Sequence, residues 1–329
     1  MMRHGTAFRF STLCSLVLLL MLSAPRVVRG QAEWRARVGA QTHDKGYQAL
    51  AFLPNEIWIH AGDSITWLFD VDEIHTVTFL KPGQTRLPFP VGCPGFSSNP
   101  ATFDGSTCVT TLPLVKDNTF TVNFPTAGNF KLTCLVHPDM TGVVHVLGVA
   151  QTLPHDQYFY DVEAAAQEVT LLSDRDHAGH GSRELGHGGH LVAAGLGEVS
   201  ATAGGTSTVS VDRFVGSPTI IRAGETVEWN NLDPITPHTI TFGTEPADPM
   251  PPSANVTVDA DGARHAVINS RSDSAHSGFI VAAPQDRIGL AQSPPGVTRF
   301  RVTFPHAGVY PYICALHDDL GMTGEVIVK

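Results

Sequence analysis

Cys314, His317 and Met322 put a thiolate, an imidazole and a thioether within nine residues of one another. These are soft or borderline donors. With a second histidine from elsewhere they complete the donor set that holds a copper ion through its one-electron cycle. The chain carries the set twice: Phe124-Pro125-Thr126-Ala127-Gly128-Asn129-Phe130 leads into Cys134, His137 and Met140 much as Phe304-Pro305-His306-Ala307-Gly308-Val309-Tyr310 leads into Cys314. One such cluster is an easy coincidence, whereas two with matching flanks are not. The copies differ in one respect: two residues separate His137 from Met140, and four separate His317 from Met322.

The elements that must position these donors repeat in the same order. Leu50 to Ile59 and Ser64 to Phe69 are strand-like, separated by the turn Ala61-Gly62-Asp63, and His75-Thr76-Val77-Thr78-Phe79 puts a histidine at the mouth of the next strand. Pro218 to Trp229 and His238-Thr239-Ile240-Thr241-Phe242 answer them. Trp67 and Trp229 lie 162 positions apart, the two histidines 163 and the two cysteines 180, so the register slips in the loop after the first histidine. Many short strands without helical periodicity predict an all-β chain of two Greek-key antiparallel β-sandwiches. The expected boundaries are 1–30 for an export signal, 33–150 for the first domain, 151–198 for a partly helical, His/Gly-rich linker and 199–329 for the second domain. Within the linker, Asp156 to Leu172 is helix-prone.

This arrangement resembles the cupredoxin family, the plastocyanin/azurin-like blue copper proteins. The resemblance rests on Ala61 to Trp67, His75 to Phe79 and Cys134 to Met140, and on Ala223 to Trp229, His238 to Phe242 and Cys314 to Met322. It implies type 1 copper, two per chain, held by His75, Cys134, His137 and Met140 and by His238, Cys314, His317 and Met322. The first ligand loop is similar to the short amicyanin type and the second to plastocyanin's. Where plastocyanins usually carry an asparagine after the first ligand histidine, Thr76 and Thr239 stand here, with hydroxyls able to brace the same loops. Copper nitrite reductases and multicopper oxidases of this family use His-x-His pairs and a histidine beside the ligand cysteine. Neither feature occurs here: Thr133 and Leu135 flank Cys134, and Ile313 and Ala315 flank Cys314. The resemblance therefore favours a one-electron carrier between redox protein partners over an enzyme. Copper capture or delivery, with the linker as loading arm, is the alternative.

Arg3 and Arg9 followed by the apolar run Leu13–Leu22 form a secretory signal too short to span a bilayer, so export to a periplasmic or extracellular setting is expected, with no membrane span in the mature chain. Loss of Arg3, Arg9, Arg26 and Arg29 with that segment moves the formal charge from −10 to −14, which argues against nucleic acid as a partner. In an oxidising compartment Cys93 and Cys108, fifteen positions apart in a Gly/Pro-rich loop, are expected to pair. His177, His180, His187 and His190 read as a soluble glycine-histidine tether, with weak copper or zinc binding as the rival. His43, His60, His145, His155, His265, His276 and His306 read as surface or hydrogen-bonded side chains. The edges of His137 and His317 are expected to be the exposed ports for electron entry and exit, with Asp318 and Asp319 beside the second attracting a basic partner.

Overall fold

A computed structural model of the chain describes residues 30–86, 93–173, 190–282 and 297–329. The expected signal, apart from Gly30, and His177, His180 and His187 lie outside those residues. The first sandwich consists of β1 (Glu33–Gln41), β2 (Tyr47–Leu53), β3 (Glu56–His60), β4 (Ser64–Phe69), β5 (Thr78–Phe79), β6 (Ala101–Thr102), β7 (Val109–Thr110), β8 (Thr119–Asn123), β9 (Gly128–Thr133) and β10 (Thr141–Leu147). After α1 (Gln157–Ser173), the second consists of β11 (Leu191–Ala201), β12 (Thr206–Val215), β13 (Thr219–Ile221), β14 (Thr226–Leu232), β15 (Thr241–Phe242), β16 (Thr257–Val258), β17 (Arg264–Val267), β18 (Ala275–His276), β19 (Arg299–Thr303), β20 (Gly308–Ile313) and β21 (Thr323–Val328).

The period-two pattern places each core. Ile65, Trp67 and Phe69 of β4 point inward while Thr66 and Leu68 point outward, and Val227 and Trp229 do the same on β14. Trp67 packs with Phe79 and Phe124, and Trp229 with Phe242, Phe300 and Tyr312. Cys134 and Met140 belong to the first core cluster and Cys314 and Met322 to the second, so half of each proposed ligand set is also core. The chain is all-β apart from α1. Pairing within each sandwich is mixed, because consecutive strands cross between sheets. Chain passage through Pro54, which lacks an amide hydrogen, moves β3 out of the sheet of β2 and β4. The parallel pairs β1·β4 and β3·β10 result, and β11·β14 and β13·β21 repeat them.

The two sandwiches are joined edge to edge. Antiparallel β2 and β12 pair Leu50 with Thr208, Ala49 with Val209, Gln48 with Ser210 and Tyr47 with Val211, giving one continuous eleven-stranded sheet. Each hairpin preceding that seam reaches the other sandwich: Thr206 N–H donates to Thr141 Oγ1 at 2.9 Å, and Arg213 donates both to the Asp44 carbonyl and, at 2.9 Å, to that of Leu320. Helix α1 is capped by Asp156, whose carboxylate accepts the Phe159 N–H at 2.9 Å, and lays Tyr160, Ala164 and Leu171 against the first sandwich. Strand β11 begins at Leu191, inside the segment expected as linker, because Val192, Ala194 and Leu196 supply a buried face of their own. Cys93 and Cys108 form a disulfide with Cα atoms 5.6 Å apart.

Two bulges bring the backbone against His75 and His238. The β1·β2 ladder slips between Val38 and Ala40, and the β11·β12 ladder between Ala194 and Leu196. The residues at the slips, Gly39 and Gly195, have φ of 71° and 81°. A Cβ on Gly195 would lie 2.1 Å from His238 Nε2, and one on Gly39 2.2 Å from Val71 Cγ1 and 3.0 Å from His75 Nε2. Glycine is thus required both for the left-handed backbone and for the close approach of each histidine. Gly195→Ala is expected to cost about 1–3 kcal/mol in backbone strain together with displacement of His238. Gly224→Ala, at φ 89° but with open space around it, carries the strain alone. Thermal unfolding midpoints should fall further for Gly195→Ala, and equal losses would remove the steric role.

Candidate metal centres

Cys134 follows β9 and Cys314 follows β20, and each begins a loop closed by its own backbone. The Cys134 amide donates to the Met140 carbonyl at 3.0 Å, and the Cys314 amide to that of Met322 at 3.0 Å. The return bonds run from the Met140 amide to the His137 carbonyl, 3.1 Å, and from Met322 to His317, 3.0 Å. The two additional residues of the second loop are absorbed in a turn, with Leu320 N–H donating to the His317 carbonyl and Gly321 N–H to that of Asp318. His75 and His238 are pinned by reciprocal backbone bonds to the long insertions, His75 with Leu114 at 2.9 and 2.8 Å and His238 with Ile280 at 3.0 and 2.8 Å.

These constraints bring the donors together in the same way twice. In the first centre His75 Nδ1 lies 3.1 Å from His137 Nδ1, and Cys134 Sγ lies 4.0 and 3.8 Å from them. In the second, His238 Nδ1 is 3.2 Å from His317 Nδ1, with Cys314 Sγ at 3.9 and 3.3 Å. Met140 and Met322 are buried at the foot of the same loops. The threonines supply the brace. Thr76 Oγ1 accepts the Leu135 N–H at 2.8 Å and lies 3.8 Å from Cys134 Sγ, while Thr239 Oγ1 accepts the Ala315 N–H at 2.7 Å and lies 3.8 Å from Cys314 Sγ. Backbone N–H groups of Thr76 and Thr239 donate to the sulfurs at 3.4 and 3.3 Å.

Burial pushes both thiols up, but the histidine rings beside them prevail and hold Cys134 and Cys314 well below the ordinary thiol value. Burial likewise disfavours charge on every ring and prevails at His75. Cys134 and Glu73 push His137 up to about 10, Asp233 and Cys314 push His238 up to about 9, and Cys314 and Asp212 push His317 well up. Each centre therefore favours negative charge on sulfur beside positive charge on imidazole, with two Nδ1 atoms in contact. One soft cation satisfies all these lone pairs at once, and the residues fit copper.

Three buried acids sit behind the ligands, where sequence reasoning did not look. Glu73 Oε1 lies 3.4 Å from His137 Nε2 and Glu73 Oε2 lies 3.7 Å from His317 Nε2. Glu73, Asp212 and His317 bring one polar atom each within 4.8 Å of one another, and so do Asp212, Asp233 and His238. Burial opposes charge on Glu73, but His137 and His317 bring its carboxyl down to about 2, while burial raises Asp212 to about 6. Asp233 accepts the backbone N–H groups of Ile235 and Thr236 at 2.8 Å each, which shapes the loop into His238. Arg86 donates to the carbonyls of Cys134, 3.0 Å, and Leu135, 2.6 Å. In the sequence, Asp70-Val71-Asp72-Glu73 reads as a solvated acidic turn; only the seam between the sandwiches buries its last member.

The expected ports are corrected by that seam. His137 is 1% exposed and His317 3%, because the two ligand-bearing ends face each other and each covers the other. His190 is also not part of a free tether: its Nδ1 lies 3.1 Å from the Thr226 carbonyl and its Nε2 3.6 Å from Glu225. His60, His145, His265 and His276 each have hydrogen-bond partners outside the centres. Among the described residues no helix is long and apolar enough to cross a membrane.

Residues 213–329 match the family model of copper binding proteins of the plastocyanin/azurin family. Among solved structures, the chain is similar to a reduced amicyanin variant (18% identity over 35% of this chain and 81% of that one, TM-score 0.24). It is also similar to amicyanin from Paracoccus versutus (Thiobacillus versutus) (19%, 35% and 80%, TM-score 0.24). A third likeness is to plastocyanin from Dryopteris crassirhizoma (18%, 42% and 99%, TM-score 0.22). Residues 213–329 thus match the plastocyanin/azurin copper-binding family, and the first sandwich repeats the ligand loop found within that match.

Proposed function

We propose that the protein is exported and carries single electrons between redox protein partners on two type 1 coppers, one per sandwich, without being an enzyme. The observation that carries this reading is the duplicated donor cluster, with a thiol, two facing Nδ1 atoms and a methionine buried together at the end of each sandwich. His75, Cys134, His137 and Met140 would hold one ion, and His238, Cys314, His317 and Met322 the other. The bound ion would supply a Cu(I)/Cu(II) couple. The chain's part is to keep the donors from rearranging: the threonine braces, the Cys-to-Met backbone closures and the packed core all resist movement. Export is supported by the apolar run at Leu13–Leu22 and agrees with the Cys93–Cys108 disulfide. Copper delivery is the weaker reading, since ligands this deeply buried offer an acceptor no direct handhold.

Copper counting with visible and electron paramagnetic resonance spectroscopy tests the reading. Two ions per chain and an intense thiolate-to-copper band are expected, with half of each lost in Cys314→Ser or in Cys134→Ser. A colourless, zinc-preferring or metal-free chain would refute it. Copper should survive repeated oxidation and reduction in the presence of a Cu(I) chelator; ready surrender of Cu(I) would favour delivery.

Asp318 and Asp319 are exposed beside the second ligand loop, and a partner with basic residues would dock there. Electron exchange with a cationic partner should slow as salt rises, and rates indifferent to ionic strength would remove this docking surface.

Uptake should also depend on pH. His137 and His238 are raised above the unfolded histidine value, so in the metal-free fold each keeps its proton at neutral pH, and copper must displace it. Apparent copper affinity should therefore climb as pH rises, approaching tenfold per unit per displaced proton below about pH 9. Competition titrations between pH 6 and 9 would check this, and a flat profile would contradict it.

A further inference from the structure

The clustered Nδ1 atoms are those that would hold copper, and Nε2 would then be the outer edge of each ligand ring. In the first sandwich the outer edge of His137 meets Glu73 Oε1 at 3.4 Å, and in the second that of His317 meets Glu73 Oε2 at 3.7 Å. One carboxylate therefore lies between the two ligand sets, with one oxygen toward each. Glu73 itself is 7% exposed, and no other described acid is within ion-pair distance of ligand histidines from both sandwiches. We propose that Glu73 is a positioning residue that couples the two coppers into an internal pair, through which one electron passes between the sandwiches. This rests on the two-copper reading of the donor clusters.

The chemistry arises from the groups present. With Nδ1 bound to metal, Nε2 carries the remaining ring hydrogen, and a carboxylate is the usual partner for that N–H, making the ring more basic toward the metal. Sharing one carboxylate ties the rings together. A ring holding the more oxidised ion would have the more acidic Nε2–H, so it would bind Glu73 more strongly and weaken the hold available to the other ring. The transfer would balance within the chain: one bound Cu(I) would become Cu(II) as the other Cu(II) became Cu(I), with no proton or further reactant needed. Electron exchange weakens steeply with distance, and the route His137–Glu73–His317 consists of two rings, one carboxylate and two polar contacts. The repeat does not duplicate the device. Two residues before His75 stands Glu73, whereas two residues before His238 stands Thr236, which bears no charge. A single bridge thus serves both centres.

The test uses the full-length chain loaded with copper. Rapid one-electron reduction of half the sites, then optical relaxation, should show a phase whose rate does not change with protein concentration. In Glu73→Gln, which presents an amide –NH2 to one of the two ring N–H groups, that phase should slow at least tenfold and the redox equilibrium constants of both centres should change at least threefold, with two coppers and the thiolate band retained. Unchanged rates and potentials in Glu73→Gln would overturn the proposal, as would the absence of the internal phase in the unaltered chain. If Glu73→Gln does not fold, single-centre chains decide. The redox equilibrium constant of the second centre should differ between the unaltered chain and Cys134→Ser, and that of the first between the unaltered chain and Cys314→Ser. Independence of the two would refute coupling. Failure of the two-copper reading itself is separately visible, as a chain that binds no coloured copper at all.

Discussion

Everything distinctive about this protein depends on the backbone pairing of β2 with β12. A sandwich edge is ordinarily a liability, a row of unpaired N–H and C=O groups open to any passing strand. Here each sandwich uses its edge to satisfy the other's, and the register Gln48 to Ser210 determines how the two ends that carry the ligands are aimed. Aligned this way, they face inward. The histidine edges that would otherwise meet solvent meet each other across Glu73. The hairpin contacts Thr206 to Thr141 and Arg213 to Asp44 and Leu320 hold the register at both ends of the seam, directly beside the two ligand loops.

Burying Glu73, Asp212 and Asp233 in that seam carries a large desolvation penalty, and such groups persist only where partners compensate. Asp233 is compensated locally by two backbone N–H groups and the Ser210 hydroxyl. Ser210 Oγ also lies 3.0 Å from Asp212, so one hydroxyl stands between two carboxyls. Glu73 relies on His137 and His317, which come from different sandwiches, and is stable only once both are in place. Its burial and the closure of the seam are thus one event. Removing positive character from either ring leaves a buried charge short of a partner, and this ties the state of each metal centre to the integrity of the interface.

The duplicated motif made most of this legible in advance. Cys134, His137 and Met140 and their counterparts carry their meaning in local spacing, and the order of the repeat was enough to pair them with His75 and His238. Local spacing also revealed the disulfide, and composition a helix over Asp156 to Leu172, which the structure places at Gln157–Ser173. What spacing could not carry was the relation between the repeats. Glu73 closes an ordinary acidic turn, Gly39 and Gly195 lie among other small residues, and Arg86 sits in a polar loop; each acquires its role from a neighbour distant in sequence. The expectation of exposed histidine edges failed for that reason. It treated each sandwich as a free-standing domain, and the strand edges that join them carry only the alternation any edge strand would show. The start of β11 was obscured differently, because the Gly/His composition before Leu191 masks a short apolar alternation that is the true beginning of the second sandwich.

The position of the ligands relative to the cores bears on how freely the donors can move. Cys134 and Met140 are packed in the cluster that contains Trp67, Phe79 and Phe124, and Cys314 and Met322 in the one that contains Trp229, Phe242 and Tyr312. A side chain locked in a close-packed interior cannot follow a change in metal charge without disturbing its neighbours. The donors are therefore held by forces indifferent to oxidation state, and in the proposed carrier the same aromatic packing that folds each sandwich would keep the barrier to electron exchange low. The ligands least constrained by the cores are His137 and His317, which sit on turns. These are the two that the seam and Glu73 immobilise, so the interface completes at the outer edge of each centre the rigidity that the core supplies at its base.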